Sequence, residues 1–578
     1  MSNSNRPRQT MIIVGAGIAG LSTGCYAQMN GYRSRIFELH EVPGGGCAGW
    51  KRGEFGFDGC LSWLVGSGPG NELYQLWLEL GALEGKEIRH FEMFNAVETA
   101  DGHIVRFYSD PDRLQEHLSE LAPRDGRRIR AFCQALRQCQ GCLAAVPFLR
   151  PVGLMGKLDR LRLYLRFARF YRAITRSLAT RIADCADRFE SPVLREAFHY
   201  VLYDHTGQLS MLPLYFQLAC HGSRAAGVPE GGAPGLARSI EARYLALGGQ
   251  IRYSARVEEI LVENDRAIGV RLSDGQRHLA DVVVTDGDGA AVAELLHGRY
   301  VNPVWSPPAE APGAIAPGSL GHVALFLGLD RRFPEAEHGT THLLTEDEAA
   351  ELPGIVHPGL HVQFRNRHYP ELSPPGTSAI FASYLCDAAR WRALSQGDDR
   401  RRQRRGIEVR AVAARRGRSY PHEKRRVAEF LTGYLDRKYP GLADALVVRD
   451  VATPVSPLRC TGAHGDTVLP WQPFAARDLG DTARPAIPGL RNVYRLGGRD
   501  GGGGMVRDAT AGRHVMQFIC KDDRRPFTAW IDDAAVPPTH VIVPPGGRRI
   551  AALDAARAPT APGVTSDRPV RELPGTRW

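Results

Sequence analysis

Two rhythms of apolar and polar residues run through this chain. Met11–Val14 is a short uninterrupted apolar run that breaks at glycines. Such a run suits a parallel strand buried on both faces. An apolar-rich stretch opening at Ile18 predicts a helix, and SRIFEL, ending at Glu38 and Leu39, predicts a second strand. Later, RVEEILVEN and IGVRL alternate with period two, as in half-buried hairpin strands, and DVVV from Asp281 predicts another buried strand. Residues 71–224 follow a mainly helical period. Within them, 161–178 predicts one amphipathic helix. Leu163, Tyr164, Phe167, Phe170, Tyr171, Ile174 and Leu178 share one face, and Arg162, Arg166, Arg169, Arg172 and Arg176 share the other. This pattern suits either a helix with its apolar face in the core or one lying on a membrane surface.

The glycines after the first strand carry chemistry. Gly15, Gly17 and Gly20 form G-x-G-x-x-G between a strand and a helix. Gly15 permits the turn, Gly17 lets a pyrophosphate approach the backbone, and Gly20 lets helix and strand pack closely. Free N–H groups and the helix dipole favour the phosphates. Glu38, 18 residues beyond Gly20, lies near the spacing for a ribose-binding carboxylate. An acid there disfavours the 2′-phosphate of NADP. Pro43-Gly44-Gly45-Gly46-Cys47 adds a second glycine turn, and a second close backbone approach at Gly45 and Gly46 favours FAD over NAD.

Composition narrows the rest. At 578 residues the chain is too long for one core, so two or three domains are expected. Eleven scattered cysteines, with one C-x-x-C at Cys139 and Cys142, point to a reduced cytoplasmic chain without a zinc site. No apolar leader precedes the first strand, and no apolar run is long enough to span a bilayer. Residues 400–426 hold twelve Lys and Arg against Glu408 and Glu423, which equals the whole net charge of +10. The 400–420 part reads as a solvated basic insertion, with anionic lipid or an acidic partner as its functional alternative. Aromatic residues do not interleave with these charges before Tyr420, so nucleic acid is not expected. From 528 to 578 the chain is rich in Pro, Ala and Arg and reads as a mostly disordered tail.

Taken in order, G-x-G-x-x-G, Glu38, the glycine run, Phe57-Asp58-Gly59 and Leu64-Val65-Gly66 resemble the phytoene desaturase type of flavoprotein, whose relatives include carotenoid isomerases and all-trans-retinol saturases. The resemblance extends to Pro229-Glu230-Gly231-Gly232, Pro488–Tyr494, Gly497-Gly498, Gly502–Gly504 and Ala511-Gly512-Arg513. It departs at Cys47, where many members carry arginine, and at Arg507-Asp508, which replaces an apolar pair. It implies an α/β fold: a discontinuous Rossmann-like FAD-binding domain (8–70, 225–290, 488–522) with an inserted α+β substrate domain (71–224, 295–480), like amine oxidases and GDP-dissociation inhibitors. It also implies FAD contacts at Asp58, Val257, Gly498, Gly504 and Met505. Thr453-Pro454 and the turn after it resemble a segment closing over the flavin, with Arg459 and His464 as candidates to polarise a substrate.

The expected activity is desaturation, saturation or isomerisation of carbon–carbon bonds in an apolar isoprenoid or polyene, with hydride moving at flavin N5. His199, His205 and His221 are further titratable candidates, more often structural. Oxygen, a quinone or a reductase stays open as electron acceptor, and peripheral membrane contact stays open beside a cytoplasmic location. An amine-oxidase-like enzyme and a non-enzymatic prenyl-binding protein are the alternatives. The prenyl-binding case arises because scaffold alone does not prove catalysis.

Overall fold

The computed structural model describes residues 9–47, 49–143, 149–168, 170–202, 207, 209–287, 289–300, 320–396, 419–456, 485–496 and 504–530. Two sheets organise them. The first is a five-stranded parallel sheet in the order Gln250–Arg252, Arg33–Phe37, Thr10–Val14, Val282–Asp286, Val493–Leu496. Ile13 stands between Ile36 and Val284 in register and is fully buried. A sheet covered on both faces demands such continuous apolar runs.

Three helices pack together on one side of this sheet: Ile18–Met29, Gly232–Ala246 and Gly504–Asp522. Small residues allow the approach. A Cβ on Gly24 would lie 2.7 Å from the Tyr244 ring, and one on Gly512 would lie 2.6 Å from Ser22 Oγ. Ser22 Oγ donates to the Ala509 carbonyl at 2.7 Å. Beside Gly512, Arg513 is buried and donates through Nε to Glu79 Oε2 at 2.9 Å, while Tyr26 OH donates to the same oxygen at 2.6 Å. Gly512 and Arg513 thus serve helix packing and a buried ion pair.

On the other side lies a three-stranded antiparallel sheet, Val257–Glu263, Arg266–Leu272 and Arg277–Leu279, which contains the expected hairpin.

The second large sheet has seven strands in the order Leu446–Ala452, Leu320–Leu329, Ser378–Asp387, Ile355–Phe364, Gly339–Leu343, Met93–Glu98, Ile104–Tyr108. Neighbours are antiparallel except Gly339–Leu343 with Met93–Glu98. One face buries Leu325, Leu360, Val362, Ile380 and Ala382 against Val427, Leu431 and Leu435 of the helix Ser419–Lys438. A separate core joins Leu114, Phe132, Phe198, Leu214 and Leu218 from the helices that precede residue 223.

The structure departs from expectation in three places. The 71–224 region contributes two strands, Met93–Glu98 and Ile104–Tyr108, to the seven-stranded sheet as well as helices. The 161–178 segment is two helices, Lys157–Ala168 and Tyr171–Ala179, rather than one. Its expected apolar stripe is partly turned inward, with Leu163, Phe170, Ile174 and Leu178 half-buried and Phe170 near Gly141. The exposed apolar side chains are Leu158, Leu161, Tyr164, Leu165 and Tyr171. Last, the helix Ser419–Lys438 begins inside the expected 400–420 insertion, and its Arg426 pairs with Glu351 and Glu423. The insertion's 400–418 portion and the tail from 531 lie outside the described residues.

Candidate functional site

Parallel strands end together, so the turns after them converge at one edge of a sheet. Gly15 adopts φ +101° there, in the region open to glycine, and its N–H donates to the Phe37 carbonyl at 2.8 Å. Gly17 caps the following helix without a side-chain partner, and of the first-turn N–H groups Gly20 N–H goes to Asp286, which leaves those of Ile18 and Ala19 to face an anion. A Cβ on Gly20 would lie 2.0 Å from the Gly15 carbonyl oxygen, so only glycine lets helix and turn close up. The second glycine turn folds onto the first. Gly44 N–H donates to the Ala16 carbonyl at 2.9 Å, and a Cβ on Gly45 would lie 3.3 Å from Gly17 Cα. Gly46 follows in the same turn, with nothing within 4 Å of where its Cβ would be.

Glu38 is buried at the end of its strand. Oε2 accepts from Ala16 N–H at 2.5 Å, and Oε1 accepts from His40 N–H at 2.8 Å. Each carboxylate oxygen retains a lone pair for a ribose hydroxyl. The chain leading to Val257 lies alongside: Glu38 N–H donates to Arg252 O at 2.9 Å, and Ala255 N–H donates to Glu38 O at 2.8 Å. Gly504 opens the last helix at φ +66°, followed by buried Met505. Backbone donors at a helix start, a half-buried glycine cradle and a buried acid together fit a dinucleotide.

Asp58 differs from the other candidates. Its carboxylate accepts from Cys60 N–H at 2.9 Å, Leu61 N–H at 3.1 Å and Ala233 N–H at 2.8 Å. It therefore clamps its own turn to the start of the helix Gly232–Ala246. Gly498, Arg459, His464 and His205 lie outside the described residues. His199 bonds Asp187 at 2.9 Å. His221 is buried among Trp63, Phe91 and Phe94, and desolvation pushes it down to about 3, so it stays neutral.

Two acids at the cradle escaped the sequence reading. Asp286 ends its strand beside Gly15, and its Oδ2 would lie 2.7 Å from a Cβ on Gly17. Burial, then Asp508 and Glu38, push its carboxyl up to about 7, against the opposing hydrogen bond from Gly20 N–H. Burial likewise raises Asp508 to about 6. A carboxyl that keeps its proton near neutrality tolerates an anionic diphosphate. The clue was positional: Asp286 ends an apolar strand of the same parallel sheet as Glu38.

The hairpin after the second glycine turn links the cradle to the seven-stranded sheet. Trp50 and Phe57 pack on Phe326 with centroids 4.8 and 5.5 Å apart, and Phe381 lies 5.3 Å from Phe326. These side chains occupy the face opposite the sheet's core, by simple alternation. His361 is flanked on that face by Thr341 and Ser383, and Asn95 donates to Thr341 at 2.9 Å. Burial holds both His361 and His322 down near 4, so both are neutral at pH 7. Among the described residues, no group of His, Cys, Asp and Glu is placed to hold a metal ion.

The sequence matches the family described as flavin containing amine oxidoreductase over residues 18–429. It is 27% identical over 296 residues to a phytoene desaturase (lycopene-forming) of Paracoccus sp., covering 50% of this chain and 56% of that protein. It is 24% identical over 540 residues to a protein of the same description from Pseudescherichia vulneris, covering 88% of this chain and 99% of the relative. A crystal structure described as a putative protoporphyrinogen oxidase from Exiguobacterium superposes with TM-score 0.52 at 14% identity, covering 90% of this chain and all of that one (100%). That likeness carries the fold alone.

Proposed function

The chain belongs to the flavin-containing amine oxidoreductase family, and on that premise we propose that it is an FAD-dependent enzyme acting on carbon–carbon bonds of an apolar isoprenoid or polyene. Bound FAD supplies hydride acceptance or donation at its N5. In this reading Gly15, Gly17, Gly20, Gly45 and Gly46 give the backbone approach to the diphosphate, and Glu38 takes the ribose hydroxyls. The Val257 segment borders the adenosine, and Gly498, Gly504 and Met505 border the remainder of the cofactor. Asp58 acts indirectly, by holding its turn. Arg459 and His464 are kept as candidates to polarise the substrate.

The observation that carries the substrate class is the continuity of cradle, aromatic hairpin and sheet face. From Gly46 the chain runs directly into Trp50 and Phe57, which pack on Phe326, and the nearby strand histidines are neutral. An aromatic cluster suits a hydrocarbon, and the carboxylate beside it, Asp450, is already taken by Trp50 Nε1 at 3.1 Å and by Arg52 at 3.0 Å. The similarity to the two desaturases points the same way.

The first test is the visible spectrum of purified protein before and after dithionite, followed by polyene turnover in liposomes with product analysis. A bleaching flavin band and a desaturated, saturated or isomerised polyene support the reading. Protein that stays colourless after incubation with FAD sinks it, and flavin reduced by amines alone transfers it to the amine-oxidase class.

Substrate access adds a membrane component to the proposal. Leu158 and Tyr164 are 70% and 67% exposed on a helix that also carries exposed Arg160 and Arg162. Apolar side chains beside cations suit the surface of an anionic bilayer. Among the described residues no helix is long and apolar enough to cross one. Salt-sensitive flotation with anionic liposomes is expected, and its loss in Leu158→Ser/Leu161→Ser/Leu165→Ser would locate the contact.

A further inference from the structure

Cys47 and Cys60 come together at the cradle in a way the proposed reaction does not use. Cys47 ends the second glycine turn and is buried, with its N–H donating to the Gly44 carbonyl at 2.9 Å. Cys60 follows Asp58, whose Oδ1 holds its N–H. The two sulfurs lie 2.9 Å apart. Among the nine cysteines whose side chains are described, Cys60 alone is exposed; Cys185 is half-buried and the rest are buried. One thiol is thus open to solvent, with a buried thiol directly behind it.

We propose that Cys47 and Cys60 are a redox-active pair that forms a disulfide by exchange with a small-molecule disulfide of the glutathione type, clamping the glycine cradle. The Cys60 thiolate attacks one sulfur of the external disulfide, forms a mixed disulfide and expels one thiolate. Cys47, on giving up its proton, attacks Cys60 Sγ and expels the second thiolate. Two protein thiols are oxidised, one external disulfide is reduced to two thiols, and the protons pass to solvent and the leaving groups. The order follows from access, since the reagent reaches Cys60 and only Cys60 reaches Cys47. It also follows from charge, because the hydrogen bond with Cys60, burial, Asp508 and Asp58 hold Cys47 in its thiol form.

The bond would join two turns that matter to the site. One is the Gly44–Gly46 turn, seated on Gly17. The other is the Asp58 turn, bonded to the start of the helix Gly232–Ala246. The bridge would close a loop containing the Trp50–Arg52 and Phe55–Phe57 hairpin. Tying both turns restricts cradle opening, so the oxidised protein should release cofactor more slowly. This consequence, unlike the disulfide itself, rests on the FAD reading.

The test equilibrates the purified protein, cofactor retained as isolated, in glutathione buffers of graded oxidised fraction. Thiols are trapped by alkylation and the peptides mapped by mass spectrometry. A cross-linked Cys47–Cys60 peptide should grow with oxidation and be absent in Cys60→Ser, a substitution at an exposed position. Separate glutathione adducts on the two residues, a cross-link to some other cysteine, or thiols that stay reduced throughout would overturn the pair. Flavin release, followed by fluorescence, should be several-fold slower in oxidised than in reduced wild type and insensitive to redox state in Cys60→Ser. A disulfide with unchanged release overturns the clamp. Absence of flavin with the disulfide intact overturns the FAD reading and leaves the pair standing.

Discussion

The two large sheets place chemistry in opposite ways. The five-stranded parallel sheet buries both faces and presents its strand ends, where backbone N–H groups and helix dipoles converge. The seven-stranded sheet packs one face on the helix Ser419–Lys438 and turns the other toward the aromatic hairpin, where side chains from different strands stand together. The first site is therefore made largely of glycine and backbone, close together in sequence. The second is made of His322, His361, Phe326 and Phe381, which meet only through strand pairing. A local motif can announce the first kind of site, whereas the second has no local signature.

The largest expected effect tests how strongly the parallel region depends on its buried charges. Arg513→Met should cost about 3–5 kcal/mol by stranding Glu79 in the core, read as loss of thermal and urea stability. Adding Glu79→Leu should recover part of that loss; failure to recover would mean Arg513 acts through packing alone. Next, Gly17→Val puts a side chain against Asp286 and over the helix start. Flavin affinity should fall at least about 100-fold, or ~3 kcal/mol, with far-ultraviolet dichroism retained. Unchanged affinity would remove the backbone-built site from the comparison.

Asp286→Asn sharpens the electrostatics of the cradle. Its carboxyl is raised from 3.8 to about 7, so the folded state binds a proton the unfolded state has released. That contribution is fully present below pH about 4, is lost as pH rises to about 7, and stays lost above it. The Asn variant should match wild type at low pH and melt higher across and above this window. Wild-type flavin affinity should also weaken above pH about 7, while the variant's should not. A melting difference independent of pH would refute the assignment.

The smallest effect belongs to the seven-stranded sheet. His342 Nδ1 lies 2.5 Å from Glu98 Oε2, and Lys438 donates to Oε1 at 2.6 Å. His342 first, then Lys438, overcome burial and lower Glu98 from 4.5 to about 2. This contribution, ~1 kcal/mol, is present above pH about 4.5 and lost as pH falls toward 2. Glu98→Gln should therefore flatten the acid limb of the stability profile; an unaltered limb would show the network carries no net stability.

What was legible in the chain was what local order dictates. Ile12–Gly20 encodes a buried strand, a turn only glycine can make and a helix whose free N–H groups attract phosphate; Glu38 and the second glycine turn follow within the same unit. The physics there acts over a few residues, and the structure brings the two turns into contact. Contacts across hundreds of residues decided the rest. The strands Met93–Glu98 and Ile104–Tyr108 became the last two members, Ile104–Tyr108 the edge, of a sheet whose other strands come from far along the chain. The amphipathic stripe at 161–178 turned partly inward, because a wheel shows which residues share a face and not what that face meets. Asp286 acquires its perturbed carboxyl from burial, then from Asp508 and Glu38, each on a different element. Cys47 and Cys60, with a hairpin between them, become neighbours only when both turns close around the cradle. Periodicity and glycine spacing specify what the backbone does locally, while proximity between side chains on separate elements is a property of packing alone.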